Sequence, residues 1–291
     1  MSKGKRDARQ AARELALRQQ RVEQRRKRMI AAGSAVGIVV LVIAILVAVK
    51  LASPTKKDTA SSGKPSQASS SLVNSVTGVP ADVLNTVGKG SVQTLPKATN
   101  GKPVLKGSDG KPIVFYMGAE YCPYCAAERW PMIVALSRFG TFQNLSTAAS
   151  SSSDVFPNTP TFTFHGSSYS SNYIDFQPKE VQADAGVPLE SLTSDQQNLV
   201  NQLDQGGSFP FIDFANQATV TGASYSPQLL AGMTQQQIAD ALKNPNSNVA
   251  KAILGTANAF TNEICKLTNG QPGNVCSSAA ATAYGPTGGQ G

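Results

Sequence analysis

Histidine and cysteine are scarce in this chain of 291 residues. It has one histidine, His165, and four cysteines. A C-x-x-C pair can form half of a zinc site, but the other half is normally a second C-x-x-C pair or two histidines. Apart from one such pair, the chain has only Cys265 and Cys276, which are eleven positions apart. These shortages weigh against zinc, and we predict no metal site and no cofactor.

Net charge is absent from most of the chain. The whole sequence carries +8, and residues 1–28 alone hold eleven Lys and Arg against three Asp and Glu, which gives the same +8. The remainder is therefore neutral, so the overall basicity gives no reason to predict nucleic-acid binding. We predict that residues 1–28 form a basic cytoplasmic arm with mild affinity for anionic lipid.

Residues 29–49 lack charge altogether and are rich in Ile, Val, Leu and Ala. At about 1.5 Å per residue, a helix of this length spans roughly 30 Å, the thickness of a bilayer core. The run is longer than the apolar part of a signal peptide, and no good cleavage site follows it. We predict one uncleaved transmembrane helix in the cell membrane, with residues 25–28 cytoplasmic and the C-terminal bulk outside the cytoplasm.

All four cysteines follow this predicted span, in a compartment where disulfides persist. Residues 50–78 are rich in Ser, Lys, Thr and Gly, which predicts a flexible linker. Globular patterning fills residues 79–276, although serine-rich residues 146–153 predict a loop within it. Small and Gly-rich residues 277–291 predict a disordered tail.

A Cys-Pro-Tyr-Cys sequence occupies residues 122–125, between a predicted strand and a predicted helix. Residues 112–117 are apolar, β-branched and aromatic, which is typical of a buried strand. A thiol where a helix begins faces unpaired backbone N–H groups and the positive end of the helix dipole, and both favour the thiolate. We assign Cys122 as the attacking nucleophile and Cys125 as the resolving thiol. A zinc site and a purely structural disulfide remain the alternatives.

The strand, the Cys-Pro-Tyr-Cys sequence and the helix together resemble the active site of the thioredoxin superfamily. Residues 118–130 are also similar to an uncharacterised family, the domain of unknown function 929, and that similarity covers most of residues 80–276. The resemblance implies a thioredoxin-like α/β fold, with a central sheet flanked by helices. The 85 positions from Cys125 to Pro210 imply an insertion between the helix and a later strand.

The same resemblance implies a cis-proline beside the two thiols. Pro210, at the start of a predicted strand, resembles that residue, and Phe209 before it would offer backbone hydrogen bonds to a substrate. A trans proline at this position, or Pro160 in the same role, remains an alternative. The predicted substrate groove comprises Pro123, Tyr124, Phe209 and Pro210.

A thioredoxin carries a buried acid six residues before its first cysteine, and here that position is Tyr116. We predict that Tyr116 belongs to the core. Glu120 and Glu128 are the candidate proton relays, or water serves instead. The alternative for both carboxylates is a solvated position at the surface.

The second pair of cysteines, Cys265 and Cys276, is predicted to form a structural disulfide. It would close a loop of about a dozen residues and contribute ~3 kcal/mol in the chain-entropy model. A second redox pair that relays electrons to the first is the alternative.

These patterns predict a membrane-anchored, extracytoplasmic thiol–disulfide oxidoreductase whose direction is open between oxidase, isomerase and reductase. Its predicted partners are exported cysteine-containing proteins or a membrane redox partner, besides the lipid bilayer around residues 29–49. The alternative function is a non-catalytic binding or assembly module with a thioredoxin-like fold and structural disulfides.

Overall fold

The computed structural model describes residues 65–99 and 101–287. They form a mixed α/β fold in which helices cover a mixed sheet. Within these residues, no helix combines the length and apolar character needed to cross a bilayer. The predicted basic arm, the predicted span at 29–49 and the linker up to residue 64 lie outside the described residues.

The described elements follow one another along the chain with short connections. The strands are β1 (Ser66–Gln67), β2 (Lys97–Ala98), β3 (Ile113–Ala119), β4 (Gly140–Gln143), β5 (Ser146–Ala149), β6 (Pro160–Thr163), β7 (Ser168–Ser171), β8 (Asp175–Asp184), β9 (Val187–Pro188), β10 (Phe211–Phe214) and β11 (Ala218–Thr221). The helices are α1 (Ser70–Thr77), α2 (Ala81–Val87), α3 (Pro123–Leu136), α4 (Ser194–Leu203), α5 (Gln235–Ala241), α6 (Asn248–Leu267), α7 (Gly273–Cys276) and α8 (Ala279–Thr282), with a 3-10 helix at Pro227–Leu230.

The main sheet has six strands in the order β2-β11-β10-β3-β8-β9. β3 and β8 run parallel, and the other neighbouring strands run antiparallel. β3 is central and buried along its whole length, which confirms the strand predicted at 112–117. The two smaller sheets, β1-β5-β6 and β4-β7, draw most of their strands from the segment between α3 and β8.

Side chains of β3 alternate between two cores because successive residues of a strand point to opposite faces. Val114 and Tyr116 belong to the main core, which also contains buried residues of α3 and α6. Phe115 and Met117 belong to a smaller core that includes Val200 of α4. The sheet therefore has helices on both faces, and β3 ends where α3 is about to begin.

Helix α3 starts directly after Cys122 and is buried except at Tyr124. Pro123 occupies its first turn, where a missing N–H costs nothing. Helix α6 packs on one side of α3 and strand β6 on another. The helix that positions the thiols is thus fixed by the interior of the molecule.

The folded domain begins before the predicted boundary at residue 79. Helix α1 lies within residues 50–78, which composition predicts to be a flexible linker, and it buries Leu72 and Val76 in the main core. Ser69 caps it by accepting the backbone N–H of Leu72 at 3.3 Å. The serines that suggest a linker here serve as helix-capping and solvent-facing residues, so the linker prediction is wrong for 70–77.

The domain also continues beyond Cys276, where the sequence predicts a disordered tail. Helix α8 buries Ala280 and Ala281 against α6. The Asn262 side chain of α6 donates hydrogen bonds to the carbonyls of Ala281 (2.8 Å) and Gly285 (2.9 Å). Small side chains let this segment approach α6 closely, so the prediction of disorder is wrong for residues 277–287.

Candidate functional site

The two thiols predicted to act together lie where β3 ends and α3 begins. Cys122 is the N-cap of α3, and its Sγ accepts the backbone N–H of Cys125 at 3.4 Å. Cys125 Sγ accepts the backbone N–H of Ala119 at 3.5 Å. Both cysteines are free thiols; Cys122 keeps 7% of its surface exposed and Cys125 none. A molecule in solvent can therefore touch Cys122 but not Cys125.

The two thiols differ in acidity. A hydrogen bond with the Cys125 thiol lowers the pKa of Cys122 to about 7, and the backbone N–H of Cys125 and the charge of Arg129 act in the same direction against burial. Burial raises the pKa of Cys125 well above its ordinary value, and the hydrogen bond and charge of Cys122 raise it further. One thiolate beside one protonated thiol is what a nucleophile and a resolving thiol require.

The Phe209–Pro210 peptide bond is cis, as predicted. Pro210 precedes β10, which pairs with β3 in the register Phe211 to Met117. This pairing brings the prolyl turn to the thiols, and the Phe209 carbonyl oxygen lies 4.0 Å from Cys122 Sγ. Pro160, the alternative, starts β6, and its carbonyl accepts the indole N–H of Trp130 at 2.9 Å.

A cavity of about 520 Å³ opens beside the prolyl turn. Tyr124 and Phe209 line it, together with Phe156 and Tyr225, and none of the described residues that line it is charged. The exposed Tyr124 ring meets Phe156 edge-on at 5.7 Å between centroids. Of the four predicted groove residues, Pro123 and Pro210 are buried and absent from this lining.

Glu120 and Glu128, the predicted proton relays, are held by other partners. Glu120 accepts the Thr163 hydroxyl at 2.7 Å. Glu128 is fully buried and accepts the backbone N–H (2.8 Å) and hydroxyl (2.7 Å) of Ser224; burial raises its pKa to about 7. Among the described residues, neither carboxylate has a hydrogen bond to a thiol. Both carboxylates are buried, Glu120 with 9% of its surface exposed and Glu128 with none, so a solvated surface position, the alternative for both, is wrong.

A buried ion pair that sequence reasoning missed lies behind the thiols. Arg129 Nε and Nη2 donate to the two carboxylate oxygens of Glu180, each at 2.7 Å, and both side chains are fully buried. Nη2 also donates to the Ala119 carbonyl at 2.9 Å, and the same carbonyl accepts the backbone N–H of Cys122 at 3.2 Å. No signal in the sequence could have revealed this pair, because it depends on the pairing of β3 with β8, which sets Glu180 opposite Gly118.

Tyr116 lies in the main core, as predicted. Its ring meets Phe164 edge-on at 5.1 Å, and the residue is fully buried. Burial raises the pKa of its hydroxyl well above the ordinary value. The hydroxyl has no hydrogen-bond partner within the described part of the chain.

A disulfide joins Cys265, near the end of α6, to Cys276 in α7, as predicted from their position in the sequence. Both residues are buried in the main core. Exchange with a thiol from solvent needs access to a sulfur, so this burial favours the structural role over the relay.

A family model described as Domain of unknown function (DUF929) matches residues 106–266, more than half of the chain. The chain belongs to the DUF929 family. The matched part of this DUF929 chain contains both free thiols, the cis-proline turn and the Arg129–Glu180 pair. No curated protein and no solved structure matches the chain.

Proposed function

We propose that this DUF929 protein is an extracytoplasmic, membrane-anchored thiol–disulfide oxidoreductase. The observation that carries the proposal is the state of Cys122: a free, slightly exposed thiol at the start of α3, with a pKa of about 7 beside the thiol of Cys125. Roughly half of it is thiolate at neutral pH, and the thiolate is the reactive form.

The proposed reaction exchanges one disulfide for two thiols. The Cys122 thiolate attacks a disulfide sulfur of the substrate, which releases one substrate thiolate and leaves a mixed disulfide. Cys125 then loses its proton and attacks Cys122 Sγ, which releases the second substrate thiolate. Two electrons have passed from the protein to the substrate; the reverse sequence oxidises a substrate dithiol.

The proposed fold relationship is with the thioredoxin superfamily. Three features support it: a central strand leads into the Cys-Pro-Tyr-Cys turn, a helix starts at the first thiol, and a cis-proline opens the adjacent antiparallel strand β10. The strands β4 to β7, placed between α3 and β8, would be part of the insertion.

The proposed location rests on the N-terminal sequence. Residues 29–49 would cross the cell membrane, residues 1–28 would remain cytoplasmic, and the domain with the thiols would lie outside. The Cys265–Cys276 disulfide fits an oxidising compartment. Exported proteins with cysteines, or a redox partner in the same membrane, are the proposed partners.

The uncharged cavity beside the prolyl turn is the proposed binding groove. Tyr124 and Phe209 supply aromatic surface, and the Phe209 carbonyl lies next to the reactive sulfur. A substrate segment that enters this groove would present its cysteine to Cys122. It would not have to approach a charged side chain of the groove lining.

Two assays on the full-length protein test the proposed function. Reduction of insulin, and reoxidation of a reduced test protein, should both be faster with wild type than without protein, and Cys122→Ser should return each rate to the uncatalysed level. Equal rates for wild type and Cys122→Ser would instead support a non-catalytic module.

A trapping experiment identifies the partner. Cys125→Ser removes the resolving thiol, so mixed disulfides should accumulate on Cys122 and disappear in the double variant Cys122→Ser/Cys125→Ser. The double variant is the matched control because its other two cysteines already form a disulfide with each other. Equal capture by both variants would contradict the assignment of Cys122.

A further inference from the structure

A full positive charge lies directly behind the two thiols. Arg129 follows Cys125 by one helical turn, so both side chains lie on the same face of α3. The guanidinium donates to the Ala119 carbonyl, and the N–H of the same residue donates to Cys125 Sγ. Ala119 thus connects the guanidinium to Cys125 Sγ and to the backbone of Cys122, since its carbonyl also accepts the N–H of Cys122.

The negative partner of this charge forms its hydrogen bonds with groups other than the thiols. Glu180 belongs to β8, and its oxygens receive the Arg129 fork and the backbone N–H of Phe164 at 3.4 Å. No hydrogen bond joins Glu180 to a sulfur within the described residues. The ion pair is therefore a buried dipole whose positive end faces the thiols.

The third nitrogen of the Arg129 guanidinium, Nη1, takes no part in the ion pair. Arg129 Nη1 is buried and has no hydrogen-bond partner in the described ranges, and the same holds for the nearby Tyr116 hydroxyl. The titratable groups that act on the guanidinium are Glu180, Tyr116 and Cys125. Nε and Nη2 already satisfy the Glu180 carboxylate, so the buried Nη1 and the contact of the guanidinium with Ala119 call for another explanation.

We propose that Arg129 is a positioning residue that stabilises the reduced, thiolate form of the Cys122–Cys125 pair, and that the protein therefore acts as a donor of disulfides to substrates with two reduced cysteines. The inference rests on the proposed function and adds its direction. A site whose reduced form is stabilised is a stronger oxidant.

The reaction in this direction is balanced as follows. A substrate thiolate attacks Cys122 Sγ, the Cys122–Cys125 bond breaks, and Cys125 leaves with the electron pair and takes up a proton. The second substrate thiolate attacks the substrate sulfur of the mixed disulfide, and Cys122 leaves as a thiolate beside Arg129. The substrate loses two electrons, and a disulfide-bearing oxidant, such as glutathione disulfide in the assay, restores the protein.

The first test measures the acidity of Cys122 without requiring any substrate. The reduced full-length protein is alkylated with iodoacetamide over a range of pH, and modification of Cys122 is followed by mass spectrometry. The double variant Arg129→Met/Glu180→Gln removes both charges together, and we expect the pKa of Cys122 to rise. From a pKa of about 7, a rise of one unit lowers the thiolate fraction at pH 7 about fivefold, and each further unit lowers it about tenfold.

Glu180→Gln alone should shift the pKa of Cys122 in the direction opposite to the double variant. It leaves the Arg129 charge uncompensated, so the pKa of Cys122 should fall. Arg129→Lys keeps a positive charge and should shift the pKa less than the double variant does. If Glu180→Gln fails to fold, Arg129→Lys and the double variant still decide the question.

The second test measures the redox equilibrium of the pair with mixtures of reduced and oxidised glutathione. In the double variant, the equilibrium should move toward the Cys122–Cys125 disulfide; a tenfold change corresponds to about 30 mV. Arg138→Met is the matched control because Arg138 lies just beyond the other end of α3 and donates to Ser278. It should leave both readouts unchanged.

The proposal is overturned if the folded double variant keeps the wild-type pKa and glutathione equilibrium, or if it and Glu180→Gln shift the pKa in the same direction. These results are distinct from failure of the proposed function. A protein inactive with insulin and test substrates would still show whether Arg129 stabilises the Cys122 thiolate.

Discussion

Glu128 shows what burial does to a single carboxyl group. It lies in α3 without solvent exposure, and its partners are the N–H and hydroxyl of Ser224. Burial raises its pKa from the ordinary 4.5 to about 7, so the folded protein holds this proton more tightly than the unfolded chain does. Its contribution to stability is complete below about pH 4.5 and is lost as the pH rises to about 7.

Glu128→Gln should remove this pH dependence. The amide mimics the neutral carboxyl group and keeps a partner for Ser224. Between pH 4.5 and 7 the free energy of unfolding of wild type should fall by about 3 kcal/mol relative to the variant, since one pKa unit corresponds to about 1.36 kcal/mol. Urea denaturation at a series of pH values measures the difference.

Asp82→Asn is the control for this comparison. Asp82 is an exposed carboxylate in the first turn of α2. Its variant should show the same dependence on pH as wild type. Parallel curves for wild type and Glu128→Gln from pH 4.5 to 7 would contradict this prediction. They would mean that folding does not raise the pKa of Glu128.

At the level of elements, Cys122 stabilises the start of helix α3. Its sulfur caps the helix by accepting the N–H of Cys125. A serine hydroxyl is a good cap, whereas alanine offers no acceptor. Under reducing conditions we expect Cys122→Ser to be more stable than Cys122→Ala by about 1 kcal/mol. Urea unfolding measures the stability difference.

Helix α4 offers the same comparison without a thiol. Thr193 caps it by accepting the N–H of Gln196 at 3.2 Å. Thr193→Ser and Thr193→Ala should therefore differ in the same direction and by a similar amount. If the two Cys122 variants were equally stable while the Thr193 variants differed, the capping contact of Cys122 would contribute nothing.

The elements that sequence reasoning found are those with strong local signals. Strand β3 is a continuous apolar run, and helix α3 begins directly after the first thiol of the Cys-Pro-Tyr-Cys sequence. Strand β5 was missed because residues 146–153 have the composition of a loop. It forms by pairing with β1 and β6, and such pairing overrides local preference.

In the candidate site, too, the features with a local sequence signal were predicted and the feature that depends on strand pairing was not. The spacing of the thiols and the proline before β10 are local, and both predictions agree with the structure. The Arg129–Glu180 pair joins residues 51 positions apart. Two charged residues that are distant in sequence look like surface residues until the register of β8 against β3 is known, so the cation behind the thiols could not be predicted.

For the whole molecule, local composition placed the ends of the domain too far inward. The described residues, 65–99 and 101–287, lie in one compact unit. Its N-terminal part contributes Leu72 and Val76 to the main core, and its C-terminal part contributes Ala280 and Ala281. Both ends have sequences rich in Ser, Ala and Gly, yet tertiary packing orders them.

A fragment of residues 79–276 should therefore be much less stable than one of residues 65–287. Loss of α1 removes the buried side chains of Leu72 and Val76, and the burial of each contributes about 2 kcal/mol to stability. Loss of α8 leaves the buried Asn262 amide without its two acceptors, a further cost of about 1–3 kcal/mol. Urea unfolding should show a deficit of roughly 5 kcal/mol for 79–276, and fragments 79–287 and 65–276 should each show part of it. Because both thiols and the Cys265–Cys276 disulfide are present in every fragment, equal stability of all four would mean that the ends do not pack on the core.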